Sequence, residues 1–400
     1  MTIRVLRLGT KSRLRKGVMS LFCEVSVVVA IFCCPSFQSA YAESLDTREE
    51  LGSALFSDRN LSFSRKQNCM SCHSPELAFT DPRALGEIQG AISRGGDGRS
   101  LGDRNSPTLS YAHMTPPFHI LGDREAVGGM FWDGRAESLE TQVGDPILNP
   151  VEMGMPDKGS VVSRLRENPD YQAAFSALFG DDVLADTPKA FAALRSAITA
   201  FLRTPEFSPF DSKYDRSLRG EAPLSDTEIR GHDLFFSKDG SGCNRCHSSA
   251  AVAGVHGEAF TNFGYVNLGV PKNTTVRRLN RSDAQRIDHG LMENPAAKGS
   301  EFDGKFKVPT LRNVAVTGPY MHNGVFQELR TAILFHQRYS TSDIAKTNPE
   351  TGNRWDAPEV ETNVVEADLR AQTLADSDID ALIAFLKTLT DRRYKVLVAN

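Results

Sequence analysis

Cysteine and tryptophan are scarce, with 7 and 2 residues in a chain of 400. Three of the cysteines (Cys23, Cys33 and Cys34) precede residue 43, so only Cys69, Cys72, Cys243 and Cys246 remain beyond it. No long apolar run follows Cys34, which excludes a membrane-spanning helix in the rest of the chain. Excess positive charge is missing as well. Lys and Arg total 46 against 50 Asp and Glu, a net of −4 that argues against nucleic acid or an anionic membrane surface as partner. Strand-like alternation is rare, and the expected class is mainly α.

The first 42 residues have the grammar of a cleavable export signal. Arg4, Arg7, Lys11, Arg13, Arg15 and Lys16 form a basic start, Val25 to Cys34 an apolar stretch, and Ala40-Tyr41-Ala42 a small-x-small cleavage site. Cleavage near Ala42 predicts a periplasmic protein without a membrane anchor. Removing six basic residues and Glu24 takes the net charge from −4 to −9. An even number of cysteines in an exported chain usually means disulfides, but here the spacing points elsewhere. Cys69-Met70-Ser71-Cys72-His73 and Cys243-Asn244-Arg245-Cys246-His247 are both C-x-x-C-H. Two thiols one helical turn apart can bond the two vinyl groups of one haem, with the adjacent histidine beneath the iron. A redox dithiol does not explain the repeated histidine. A four-thiolate zinc cage leaves both histidines idle.

The flanks repeat too. Thr47 with Glu50 and Ser225 with Glu228 are capping boxes opening short helices before each motif. Pro188 starts a helix whose Phe191, Leu194, Ile198, Phe201 and Leu202 share a face, and Ser377 is expected to cap one carrying Ile379, Leu382, Ile383, Leu386 and Leu389. Phe201-Leu202-Arg203-Thr204 is echoed by Phe385-Leu386-Lys387-Thr388. The expected architecture is two cytochrome c-like domains, 43–205 and 224–400, each binding one covalent haem c and joined by a linker at 206–223.

Further motifs make catalysis the expectation. They are Arg104-Asn105-Ser106-Pro107-Thr108, Phe131-Trp132-Asp133-Gly134-Arg135, Asn149-Pro150-Val151-Glu152-Met153, Pro309-Thr310-Leu311-Arg312-Asn313 and Pro319-Tyr320-Met321-His322-Asn323-Gly324. With these, nearly the whole chain past residue 42 resembles the bacterial di-haem cytochrome c peroxidases, and within them most closely the methylamine-utilization branch. Cleaving a peroxide bond needs an open iron face and a group that moves a proton. Glu152 and Gln142 are the candidates. Gly144, Pro146 and Pro150 are expected to interrupt any helix between them, so the two converge only if the chain folds back. The resemblance implies that Gln142, Pro146 and Glu152 line the distal pocket of the second-motif haem and that Trp132 relays electrons between haems. The peroxidases resembled carry a distal histidine shortly after the first motif, but here the next histidines, His113 and His119, look like loop or packing residues. Its lack implies a permanently open catalytic haem.

The resemblance further implies that the first-motif haem is six-coordinate, its distal ligand fourteen residues beyond His322. That residue is His336, where the peroxidases have methionine and the best-known members of the methylamine-utilization branch have tyrosine. Tyr339 is the alternative in a shifted register. The resemblance also implies one Ca²⁺ between the haems, held by the Asn105 side chain and the carbonyls of Thr317 and Pro319. A surface tryptophan known in that branch is replaced by Ser241, leaving Trp355 as the only tryptophan besides Trp132. The implied activity uses H2O2, or O2 plus electrons, to oxidise tryptophans of the methylamine dehydrogenase precursor and complete its tryptophan tryptophylquinone cofactor. Two alternatives stand beside it. One is a peroxidase drawing electrons from a small redox protein. The other is a non-enzymatic di-haem electron carrier, with Met114, Met130, Met153 or Met155 filling the open iron.

Overall fold

The computed structural model describes residues 45–82, 90–122, 125–237, 242–249, 257–283, 285–341, 343–365 and 373–398. The expected export signal and Ser241 lie outside these residues. Glu43–Asn400 packs as one compact unit. It is mainly helical, and its described sheets are two short antiparallel pairs, β1 (His119–Leu121) with β2 (Glu125–Val127) and β3 (Tyr265–Val266) with β4 (Phe306–Lys307). No described helix is long and apolar enough to cross a membrane.

Around the first motif stand α1 (Arg48–Ser57), α2 (Leu139–Leu148), α3 (Lys158–Leu165), α4 (Pro169–Phe179) and α5 (Thr187–Leu202). The expected capping box opens α1, with Thr47 and Glu50 each satisfying the other's backbone N–H. The apolar face of α5 is buried at Phe191, Leu194, Ile198 and Leu202. The α1 and α5 axes approach so closely that a Cβ on Gly52 would lie 2.1 Å from Ala197 O.

The second half repeats this. After the short α6 (Lys213–Leu218), α7 (Asp226–Phe236) opens on the Ser225–Glu228 capping box. Following α8 (Thr274–Leu279) and α9 (Leu329–His336), α10 (Asp376–Thr388) crosses α7 as α5 crosses α1. A Cβ on Gly231 would lie 1.9 Å from Ala381 O. The third neighbour in each crossing is also equivalent, Phe201 in one and Phe385 in the other. Ser377 does not cap α10. The helix starts at Asp376, two residues earlier than a Ser377 cap would give, because Asp378 accepts from the Ala375 N–H (3.0 Å) and so anchors the first turn. The chain ends in α11 (Lys395–Val398).

Part of the stretch expected as a linker packs against the core. Phe207 is fully buried and stacked on Phe79 at 4.3 Å, and Asp215 accepts from buried Arg312 at 2.7 Å.

Candidate active site

Both C-x-x-C-H motifs open onto one cavity of about 720 Å³. Cys72, His73, Cys243, Cys246 and His247 line it, as do Trp132, Gln142, Pro146, Glu152, His322 and His336. The four cysteines form no disulfide. Burial pushes the Cys69 thiol up to about 12, with Cys72 and then Glu152 adding to the rise.

Each motif forms a single tight turn, in which the histidine N–H reaches back to the first cysteine's carbonyl at 2.9 Å. The imidazole is then oriented by its Nδ1. His73 Nδ1 lies 3.0 Å from Phe79 O and His247 Nδ1 lies 3.1 Å from Phe260 O. A carbonyl can only accept, so each Nδ1 carries the proton and each Nε2 is left as a lone-pair donor. Burial lowers both histidines, and His247 falls to about 4, with repulsion from His336 as the second cause. Neutral imidazoles beside paired thiols in a shared cavity are the donor set that a haem c requires.

The residue just before each of these carbonyls is held by a repeated element that sequence reading missed. Thr108 donates to Ala78 O (2.5 Å) and Thr310 to Ala259 O (2.6 Å), each next to the carbonyl used by the histidine. Pro107-Thr108-Leu109 and Pro309-Thr310-Leu311 are the visible signal for it. Met130–Ala136 and Tyr320–Phe326 correspond likewise, each closed by an antiparallel bridge, with left-handed Phe131 and Gly134 matched by Met321 and Gly324. In this register Trp132 matches His322, α2 matches α9, and Pro146 matches His336.

That correspondence corrects the expected pairing. Gln142, Pro146 and Glu152 belong with the first motif, not the second. Helix α2 packs in the same apolar cluster as Cys69, and Glu152 acts on the Cys69 thiol. His336 belongs with the second motif, since α9 packs with Cys243 and the His336 charge acts on His247. The opposite pairing was what the resemblance implied, and the packing of α2 and α9 overturns it. Tyr339 is held by Arg338, whose Nη2 is 3.3 Å from its hydroxyl, while His336 lines the cavity with Nδ1 spent on Ala332 O at 2.7 Å.

A second correction concerns α2. Gly144 and Pro146 lie inside the helix rather than interrupting it. Gly144 admits Phe191, whose ring a Cβ would meet at 2.8 Å. Gln142 and Pro146, one turn apart, share a face. The chain then folds back as expected, with Met153 N donating to Pro146 O (3.0 Å) and Met155 N to Ile147 O (2.8 Å). Glu152 Oε1 accepts from Asn149 Nδ2 at 2.7 Å, but burial dominates and raises its carboxyl above the usual range.

Between the halves, Trp132 Nε1 donates to Asn105 O (2.9 Å) and Asn105 N to His322 O (2.7 Å). The Asn105 amide nitrogen donates to Gly90 O (3.2 Å), while Thr317 and Pro319 line the cavity nearby in sequence to His322. Half-buried Arg104 joins Asp133 (2.6 Å) to Asp288 (2.6 Å), a contact across 184 residues that no local pattern announces. His113 is tied to Ser208 and His119 lies exposed on β1, consistent with packing and loop roles. Of the four methionines considered as ligands, Met130 lines the cavity, while Met114, Met153 and Met155 are buried in apolar clusters.

Residues 46–223 match the family model described as di-haem cytochrome c peroxidase. The methylamine utilization protein MauG of Paracoccus denitrificans is 50% identical over 355 residues, 88% of this chain and 91% of that protein. The chain belongs to the MauG/di-haem cytochrome c peroxidase family. A cytochrome c551 peroxidase of Nitrosomonas europaea is 32% identical, covering 81% of this chain and 82% of its own. The solved diheme peroxidase BthA from Burkholderia thailandensis superimposes with a TM-score of 0.75 at 31% identity, over 87% of this chain and 86% of that one. Family membership makes the protein a haem-dependent oxidoreductase.

Proposed function

We infer that this protein is a periplasmic di-haem oxidase that uses H2O2, or O2 plus electrons, to oxidise tryptophans of the methylamine dehydrogenase precursor. The oxidation completes the tryptophan tryptophylquinone cofactor of that partner. The observation that carries the reading is the asymmetry at matched positions of α2 and α9: Pro146 has no donor atom where His336 has an imidazole. Identity of 50% to a protein named for methylamine utilization supports the choice of substrate.

Two haems c, bonded at Cys69 with Cys72 and at Cys243 with Cys246, supply peroxide activation and one-electron storage when bound. Residues 43–205 and 224–400 act as the two haem-binding domains. His73 and His247 would each hold one iron through Nε2, and His336 would add a second imidazole beside His247. Pro146, at the matched position beside His73, has no donor atom and would leave room there for a small oxidant against an apolar ring. Glu152, held toward its protonated form by burial, delivers a proton to the leaving oxygen, and Gln142 orients the oxidant by hydrogen bonding. Trp132, held by Asn105 O, conducts between the halves. Asn105, Thr317 and Pro319 supply oxygen ligands for Ca²⁺. A small redox protein serves as an external source of electrons.

The test mixes the holoprotein with H2O2 and the unmodified precursor and follows the visible absorption of a quinone. Wild-type protein is expected to generate it, and Glu152→Gln to slow it by roughly 10²-fold or more with both haems retained. Peroxide consumption that requires a small redox protein and yields no quinone would make the protein a peroxidase instead. Absence of any reaction with peroxide would leave only an electron carrier.

A further inference from the structure

Three described tyrosines have a carboxylate partner: Tyr111 with Asp391, Tyr171 with Asp58 and Tyr214 with Glu258. Of these, Tyr111 is the one that lines the cavity shared by the two C-x-x-C-H motifs. Its ring is 2% exposed, and its hydroxyl donates to Asp391 Oδ1 at 2.6 Å. The backbone at Tyr111 is left-handed (φ 60°), a conformation a bulky residue keeps only when its surroundings enforce it. Phe210 N donates to the same hydroxyl (3.3 Å), and the Arg312 guanidinium stands 5.2 Å from the ring centre. Asp391 is equally fixed. Its second oxygen accepts from Asn313 Nδ2 (2.8 Å), its N–H donates to Asn313 Oδ1 (2.8 Å), and it is 1% exposed.

This arrangement fits a chemical requirement. Removing an electron from a buried phenol leaves a cation in a poorly solvating interior unless the hydroxyl proton departs with it. A short hydrogen bond to a fixed carboxylate provides the path. Tyr320, which also lines the cavity, donates to the Val314 carbonyl, which is not a base of that kind.

We propose that Tyr111 is a redox-active tyrosine that holds one oxidising equivalent from the peroxide reaction, with Asp391 as the base receiving its phenolic proton. The inference rests on the peroxide-activating reading above. In the forward step one electron leaves the phenol for the oxidised haem pair, and the O–H proton crosses to Asp391 Oδ1. The phenol and carboxylate become a neutral phenoxyl radical and a carboxylic acid, so no new charge is left in the interior. When a donor returns one electron, the proton returns to the phenolic oxygen and the pair is restored. Arg312 and Asn313 position the two partners and undergo no chemistry. The site lets an equivalent wait within the protein when no substrate is docked.

The holoprotein is mixed with H2O2 without donor, frozen rapidly and examined by EPR, with and without ring-deuterated tyrosine. Expected is an organic radical whose line narrows on deuteration, is lost in Tyr111→Phe, and falls on the order of tenfold or more in Asp391→Asn, which keeps a hydrogen-bond acceptor but not a base. Haem absorption reports whether each variant holds both haems. If Tyr111→Phe does not, Asp391→Asn decides alone, and a radical yield equal to wild type overturns the proposal. A radical unaffected by deuteration, or undiminished in Tyr111→Phe, also overturns it. Failure of peroxide to change the wild-type haem spectrum would instead overturn the functional reading on which it rests.

Discussion

His336 shows what one side chain decides. Its Nδ1 is committed to Ala332 O, so its Nε2 is the atom left to meet an iron held by His247. Replacing His336 by alanine is expected to convert one of the two haems from low-spin to high-spin in the oxidised absorption and EPR spectra. Spectra identical to wild type would remove it as a ligand. The two C-x-x-C-H motifs were legible in the sequence because the pattern is local. The partner of each distal group was not. Glu152 and His336 lie 79 and 89 residues from the nearest motif histidines by number, too far for any local pattern to pair them, and the resemblance implied the opposite pairing. Only the packing of α2 with Cys69 and of α9 with Cys243 corrects this.

At the scale of elements, the two crossings of α1 with α5 and α7 with α10 are the repeated unit of the fold. Each depends on a glycine without a Cβ at the point of closest approach. Gly231→Ala gains up to about 1 kcal/mol in helix propensity. It must also place a methyl carbon 1.9 Å from Ala381 O, a backbone atom that cannot turn aside. Overpacking of this kind costs typically about 1–3 kcal/mol. The net expectation is a lower thermal midpoint for Gly231→Ala, and an unchanged or raised midpoint would show that the crossing relaxes. The helices, their apolar faces and two capping boxes could be read from periodicity and cap residues. The glycine contacts could not, because nothing in a glycine's neighbours along the chain says what it will touch. Proline misled in α2, where tertiary packing keeps helical a segment whose local preference is to break.

For the whole molecule, the network around Arg312 and Asp391 joins segments from both halves and from the stretch between them. Tyr111, Asp215 and Asn313 converge there from distant positions. Burial, opposed by Tyr111, Asn313 and Arg312, raises the Asp391 carboxyl to about 6. Between about pH 4 and 6 the folded protein therefore keeps a proton that the unfolded chain has lost, and stability falls as pH rises through that window. The loss is complete above about 6 and is on the order of 2–3 kcal/mol. Relative to Asp391→Asn, which cannot titrate, wild-type protein is expected to be progressively less stable from pH 4 to 7 in denaturant unfolding. A difference that stays flat, or grows in favour of wild type, would refute the assignment.

By itself the sequence determined two C-x-x-C-H motifs and a mainly helical duplicated frame, and its longer motifs carried the resemblance to the di-haem peroxidases. The motifs and the helical frame follow from spacings and periodicities acting within a few turns of chain. The tertiary structure alone decided which motif α2 and α9 each pack against, that Phe207 and Asp215 are buried, and that a buried tyrosine meets a carboxylate 280 residues away. Those outcomes depend on burial and contact between remote segments, where the cost of an unpaired polar group in the interior selects partners that local sequence cannot reveal.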